Sequence, residues 1–457
     1  MIGESAKPVA EAARPLRRIL GLGFGLAIAF GGTVGVGILR LPGTLAATLG
    51  DARLIVVFWV LGGIYALLGA VAVAELAAML PRAGGFYVYA RRAFGDGIGF
   101  VIGWSDWLNE VAALAYGVIT AVTFLGALWP AANANPRAVA ILILAVFTAL
   151  HGVGLKLGST LTRIISLAVG LMLLVLVIAC CRGAAAAAPN LPLPLTAASL
   201  PLASLGMLAA VVTALRAVFV SYDGWYSPIY LAEENTDPGR TLPRAMIGGT
   251  IVLIALYVLI NVAILHVVPL EVLAVSSLPA ADAARVVLPE GGDILVTAIS
   301  LVTVLSLVNA VLLMTPRILL AMGRDGLFLA RATEVSVGGT PRFALAITSG
   351  AAVALILSGS FDEIVALAAV LFLFNYISAY SALIVLRRRD PRAPRPYRAF
   401  GFPWSTGVAL GGCVLLLVAA ILEDPRTALA AAGLLALCVP VYRGIKRRRP
   451  TSVEFGG

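Results

Sequence analysis

Apolar runs close to the length of a bilayer crossing repeat along the whole chain, with short polar segments between them. Twelve runs are readable, at roughly 19–48, 54–80, 97–129, 137–154, 159–181, 205–232, 244–267, 293–322, 343–358, 361–386, 405–422 and 427–442. Each is near the ~20 residues a helix needs to span a hydrocarbon core. Backbone polar groups find no water partner in lipid, so the runs are expected to be helices. The first is expected to stay attached and not to be a cleaved signal, because its apolar stretch passes directly into a glycine cluster and further spans.

Two runs are interrupted. The first contains GGTVGVGILRLPG (Gly31–Gly43), with five glycines and a proline in thirteen residues. Each glycine costs a helix interior roughly 1 kcal/mol relative to alanine, which predicts a break near Gly35–Gly37. The sixth carries VSYDGWYS (Val220–Ser227) followed by Pro228, an acid and helix breakers in mid-span. Close helix packing would account for one glycine-rich span. Two breaks separated by five spans match a transporter plan in which discontinuous helices hold a small polar ligand near the midplane.

Composition fits this setting. The chain is 61% hydrophobic and 12% charged, too little polar surface to enclose a water-soluble core. The net charge of +10 follows from topology. With both termini cytoplasmic, the N-terminal segment, the even-numbered loops with the span ends that abut them, and the tail hold 25 of the 33 basic residues. The outer loops hold five: Arg53, Arg137, Arg182, Arg285 and Arg426. RRRDPRAPRPYR (Arg387–Arg398) and KRRR (Lys446–Arg449) read as inner-leaflet anchors. They lack interleaved stacking aromatics, so no nucleic-acid partner is expected.

Enzyme chemistry is not visible. No nucleophile elbow, P-loop or Cys/His pair at metal spacing occurs, and the early glycines do not follow a strand in a βαβ unit. Cys180 and Cys181 adjoin at a span end and Cys413 and Cys438 lie in separate spans, so neither a disulfide framework nor a metal site is expected. His151 and His266 read as structural or interfacial. No cofactor and no obligatory protein partner are inferred.

Intramembrane acids need a role. Asp106 and Glu110 in WSDWLNE lie four apart on one helix face. They either form a proton relay or face a polar vestibule and partner Arg216 or Arg40. Glu75 with Arg82, Arg91 and Arg92 reads as a cytoplasmic gate or anchor.

Together these residues resemble the amino acid–polyamine–organocation superfamily of permeases, of the L-type and basic amino acid transporter kind. GVGILRLPG is similar to its first-helix motif, YDGW to its sixth-helix break, and EENTDPGRTLPRA (Glu233–Ala245) to the cytoplasmic signature that follows. AELAAMLPRAGGFYVYARRAFG (Ala74–Gly95), NAVLLMTPRILLAMGRDG (Asn309–Gly326), and LRRRDPRAPRPYR with FPW (Phe402–Trp404) resemble further signatures, in order along nearly the whole chain.

The resemblance implies an all-α membrane protein of twelve helices. Ten of them form a LeuT-like five-plus-five inverted repeat with discontinuous helices one and six, and two are peripheral. The implied organisation is a cytoplasmic segment 1–18, a core 19–386 with repeats at about 19–181 and 205–386, a basic loop 387–403, helices eleven and twelve at 404–442, and a tail 443–457. It implies alternating-access transport of amino acids across the cell (inner) membrane. Small or medium neutral amino acids moved by proton symport or exchange are the preferred reading. A cationic amino acid or polyamine exchanger is the alternative, and a nutrient sensor on a permease scaffold the reading from another class.

By the same resemblance the substrate carboxylate takes N–H groups around Gly35, Val36, Gly37 and Ile38, as a helix N-terminus with unpaired donors would provide. The ammonium takes carbonyls of Thr33 and of Phe219, Val220 or Ser221. Asp223 either attracts a cationic group or, the preferred reading, caps the helical segment after the break. Tyr222 and Trp225 either wall the cavity or pack. Asn309 either lines the pocket or bonds between helices. Two positions depart from the family. No Lys or Arg occurs from Ile164 to Cys181, with Val169 near the place where several relatives carry a lysine, which leaves proton or sodium coupling open. The gate aromatic expected before YDGW is replaced by Val220, with Phe219 one step earlier.

Overall fold

In the computed structural model, residues 15–183, 205–288, 290–358 and 361–447 are described. The expected loop 182–204, the start of the N-terminal segment and the end of the tail fall largely outside them. Among the described residues the chain is helical, with one isolated backbone bridge between Leu20 and Asn235. The order is α1 (Leu22–Thr33), α2 (Gly37–Leu49), α3 (Ala52–Met79), α4 (Phe86–Phe94), α5 (Asp96–Leu128), α6 (Pro136–Val153), α7 (Leu155–Arg182) and α8 (Leu205–Ser221). There follow α9 (Pro238–Val267), α10 (Leu270–Ala274), α11 (Pro279–Val287), α12 (Gly292–Met314), α13 (Pro316–Arg324), α14 (Arg342–Ser358), α15 (Phe361–Arg389), α16 (Trp404–Glu423) and α17 (Pro425–Arg447).

Local chemistry sets the boundaries. The Asp51 carboxylate accepts from Arg53 N at 2.7 Å and Leu54 N at 3.0 Å, which starts α3. Asn135 does the same for α6 at Ala138 N, with Pro136 in the first helical position. Nine helices among the described residues are long and apolar enough to cross a membrane, and α1 and α2, bent by 44° at their break, make a tenth. The chain is a multi-pass integral membrane protein. Large apolar side chains such as Leu142, Leu167, Val252 and Leu415 are exposed along these helices, where lipid tails would cover them.

Small residues on one face of α3 let three neighbours approach. A Cβ on Gly62 or Gly63 would collide with Val218 of α8 or Ile254 of α9, and one on Gly69 with Tyr380 of α15. Ion pairs gather at the end of the bundle that carries the even-numbered loops. The buried Arg317 of α13 pairs with the buried Glu234 at 3.0 Å. Glu75 accepts from Arg387 at 2.8 Å and from Ala399 N at 2.6 Å, with Arg395 Nε 3.1 Å away. Arg82 and Arg91 both meet Asp325, at 3.1 and 2.9 Å. The gate-or-anchor group of the sequence is thus a network tying α3, α4, α13 and α15.

Candidate substrate site

The first break runs from Val34 to Val36. α1 ends at Thr33, whose hydroxyl donates to Ala29 O at 2.7 Å, and α2 starts at Gly37. Val36 O accepts from Leu39 N and Arg40 N at 3.0 and 3.2 Å. The N–H groups of Val36, Gly37 and Ile38 make no backbone hydrogen bond among the described residues, leaving the donors that any helix start leaves free. A Cβ on Gly37 would stand 2.6 Å from Ser221 Oγ. That hydroxyl is buried and has no hydrogen-bond partner among the described residues.

The second break follows Ser221. The chain turns through Tyr222–Tyr226 and continues as a 3-10 helix, Ser227–Glu234. At the turn Gly224 has φ +113°, and a Cβ there would overlap the Gly32 carbonyl, so the two breaks touch backbone to backbone. The Tyr257 hydroxyl of α9 lies 3.2 Å from both Thr33 O and Ser221 O, the last residues of α1 and α8.

A cavity of about 480 Å³ opens between the breaks, lined also by α5, α12 and α15. Of the expected site residues, Thr33, Gly35, Val36, Gly37, Val220, Ser221, Asp223 and Glu110 line it. The others sit elsewhere, each for a packing reason. Ile38 is buried in the core. Phe219 stacks on Phe372 at 5.7 Å, and it is Phe372 that reaches the cavity. Tyr222 turns away to donate to Trp59 O at 3.0 Å, and Trp225 stacks on Tyr376 at 5.6 Å. Asn309 bonds His151 at 3.0 Å and Thr162 at 2.8 Å, an interhelical link in place of a pocket wall.

The acids Asp106 and Glu110 take partners other than the arginines offered as one alternative. Arg216 pairs with Glu423 and Arg40 lies over the Phe124 ring at 5.6 Å, so neither partners Asp106 or Glu110. Tyrosines do so. Tyr226 donates to Glu110 at 3.1 Å and Tyr230 to Asp106 at 2.8 Å, with Asn375 Nδ2 3.4 Å from Asp106. Asp223 does not cap the 3-10 helix, whose N-cap is Tyr226 without a side-chain bond. Its carboxylate accepts from Tyr376 at 2.6 Å. Gly32, Gly224, Tyr226 and Phe372 line the cavity without having been singled out. Gly224 and Tyr226 lie inside the VSYDGWYS break itself, whereas Phe372 sits in an ordinary apolar run.

A membrane-embedded helical bundle with a cavity between two helix breaks has the build of a transporter. The chain belongs to the amino acid permease family, whose profile matches residues 25–439, within the amino acid–polyamine–organocation superfamily. It is 26% identical over 452 residues to the serine/threonine exchanger SteT of Bacillus subtilis, covering 95% of this chain and 98% of that protein. The branched-chain amino acid permease BcaP of Bacillus subtilis is 26% identical over 430 residues, covering 89% of this chain and 88% of that protein. The vacuolar cationic amino acid transporter 4 of Arabidopsis thaliana is 30% identical over 326 residues, covering 68% and 53%. An amino acid is the implied class of substrate.

Proposed function

We propose that the protein moves amino acids across the cytoplasmic membrane by alternating access, with both termini inside and the substrate bound as a zwitterion between the two breaks. One observation carries the reading: the residues at the start of α2, whose N–H groups are free among the described residues, and the end residues of α1 and α8 border one cavity, together with the Ser221 hydroxyl, which has no partner among the described residues. A carboxylate suits the first and an ammonium the second, since the ends of helix dipoles oppose there. The twelve proposed crossings are the nine long helices among the described residues, the α1–α2 pair and the two shorter apolar helices in α8 and α14. The basic residues orient them. On that orientation the part of the cavity lined by Thr44, Thr213 and Arg216 lies toward the outside, and the ion pairs of Glu234 and Glu75 lie on the cytoplasmic side.

Small and medium neutral amino acids are the proposed substrates, moved by proton symport or exchange. The tyrosine-bonded Asp106 and Glu110 supply carboxylates suited to carrying a proton. Relatives named for serine/threonine exchange and branched-chain transport support the neutral class. A second reading, cationic amino acids or amines, is favoured by one feature: Glu110 and Asp223 both line the cavity with no basic side chain paired to them among the described residues. Uptake and counterflow of labelled neutral and cationic amino acids in proteoliposomes decides between them. Uptake that requires sodium and ignores a pH gradient overturns the proton reading. A protein that binds amino acids without counterflow fits a sensor and overturns transport.

A further inference from the structure

We propose that Tyr257 is a positioning residue: its hydroxyl fixes the spacing of the two main-chain carbonyls that take the substrate ammonium. The proposal rests on the zwitterion reading of the cavity. Thr33 and Ser221 close the C-terminal ends of α1 and α8, so both present the negative end of a helix dipole to the same point. Two such oxygens repel unless a donor stands between them. Tyr257 Oη is that donor, 3.2 Å from each. No other hydrogen bond to either oxygen is present among the described residues.

A phenol has one proton, so it is shared between two acceptors and each carbonyl keeps lone-pair capacity toward the cavity. The tyrosine itself is fully buried behind the carbonyls and does not line the cavity. Its ring is held edge-on by Trp59 at 5.4 Å and against Tyr222 at 4.9 Å, and Tyr222 is in turn anchored to Trp59 O. The hydroxyl therefore points at the crossing of the two breaks from a rigid aromatic stack. A phenylalanine would fill the same space and leave that stack in place, which isolates the hydroxyl as the only thing removed.

The test is Tyr257→Phe in the full-length protein in detergent and in proteoliposomes. The probe is whichever of the twenty standard amino acids raises the melting temperature of the wild type. The expected result is an affinity about tenfold weaker and a KM raised alongside it, with kcat retained. Equal affinity of the variant and the wild type overturns the proposal. So does a fall in kcat as large as the loss of affinity, which marks a structural role only. A wild type that responds to none of the twenty overturns the zwitterion reading, and this proposal with it. Binding that is abolished by Gly37→Leu and untouched by Tyr257→Phe overturns the positioning role alone.

Discussion

Gly224 stands against Gly32 so closely that a Cβ on the former would overlap the carbonyl oxygen of the latter, and Gly224 holds φ +113° to do so. This contact joins the break of the first span to the break of the sixth. Gly224→Ala must both adopt a backbone region that side chains rarely enter, at roughly 1–3 kcal/mol, and push the first break away. The expected outcome is a markedly lower melting temperature and no ligand binding. Gly32→Ala meets the Ser227 hydroxyl, which can rotate, and is expected to cost less. Melting curves of the two purified variants check the order.

Gly37→Leu is expected to abolish substrate binding in a folded, membrane-inserted protein, because the side chain fills the approach to the free N–H groups at the start of α2. Gly37→Ala displaces only the Ser221 hydroxyl, 2.6 Å from the added carbon, and is expected to weaken binding without abolishing it. Normal binding by the leucine variant would show that the ligand does not sit at this break.

Asp223→Asn keeps the shape at the Tyr376 hydroxyl and removes the charge. With neutral amino acids as substrates the variant retains affinity within a few-fold. With cationic substrates it loses roughly tenfold or more for those ligands alone, the worth of a charge-assisted bond in a shielded site. Competition binding with neutral and cationic amino acids reads the difference, and the second outcome replaces the neutral assignment.

Arg317→Ala leaves Glu234 fully buried and unpaired, and is expected to destabilise the fold by about 3–5 kcal/mol. Replacing both partners together with apolar residues of similar volume should recover most of that loss. Thermal unfolding of the single and double variants provides the measurement. A single variant as stable as the wild type would remove the pair from the account of the closed end.

Single cysteines placed in 387–403 are expected to be shielded from an impermeant reagent in intact cells, and cysteines in 182–204 to react. Labelling of the first loop from outside would reverse the orientation.

The sequence alone determined the parts of this protein that depend on solvent and on local backbone chemistry. Span positions were legible because lipid tolerates only long apolar helices, and the structure's helix limits fall within a few residues of most of them, as in α3 at Ala52–Met79 against 54–80. The first break was legible because four glycines at 31, 32, 35 and 37 together weaken the helix there, and the second because Asp223 and Gly224 interrupt a span. Tertiary structure alone decided which side chains share the cavity. A span shows apolar residues on every face, so its pattern does not say which face meets lipid, core or ligand. Phe219, Tyr222 and Trp225 adjoin the break in sequence yet pack against Phe372, Trp59 and Tyr376, while Phe372 reaches the cavity from a helix more than a hundred residues away. The partners of the buried acids were hidden for the same reason. Asp106 and Glu110 are held by Tyr230 and Tyr226, and Thr33 and Ser221 are bridged by Tyr257, through contacts that exist only once the helices pack.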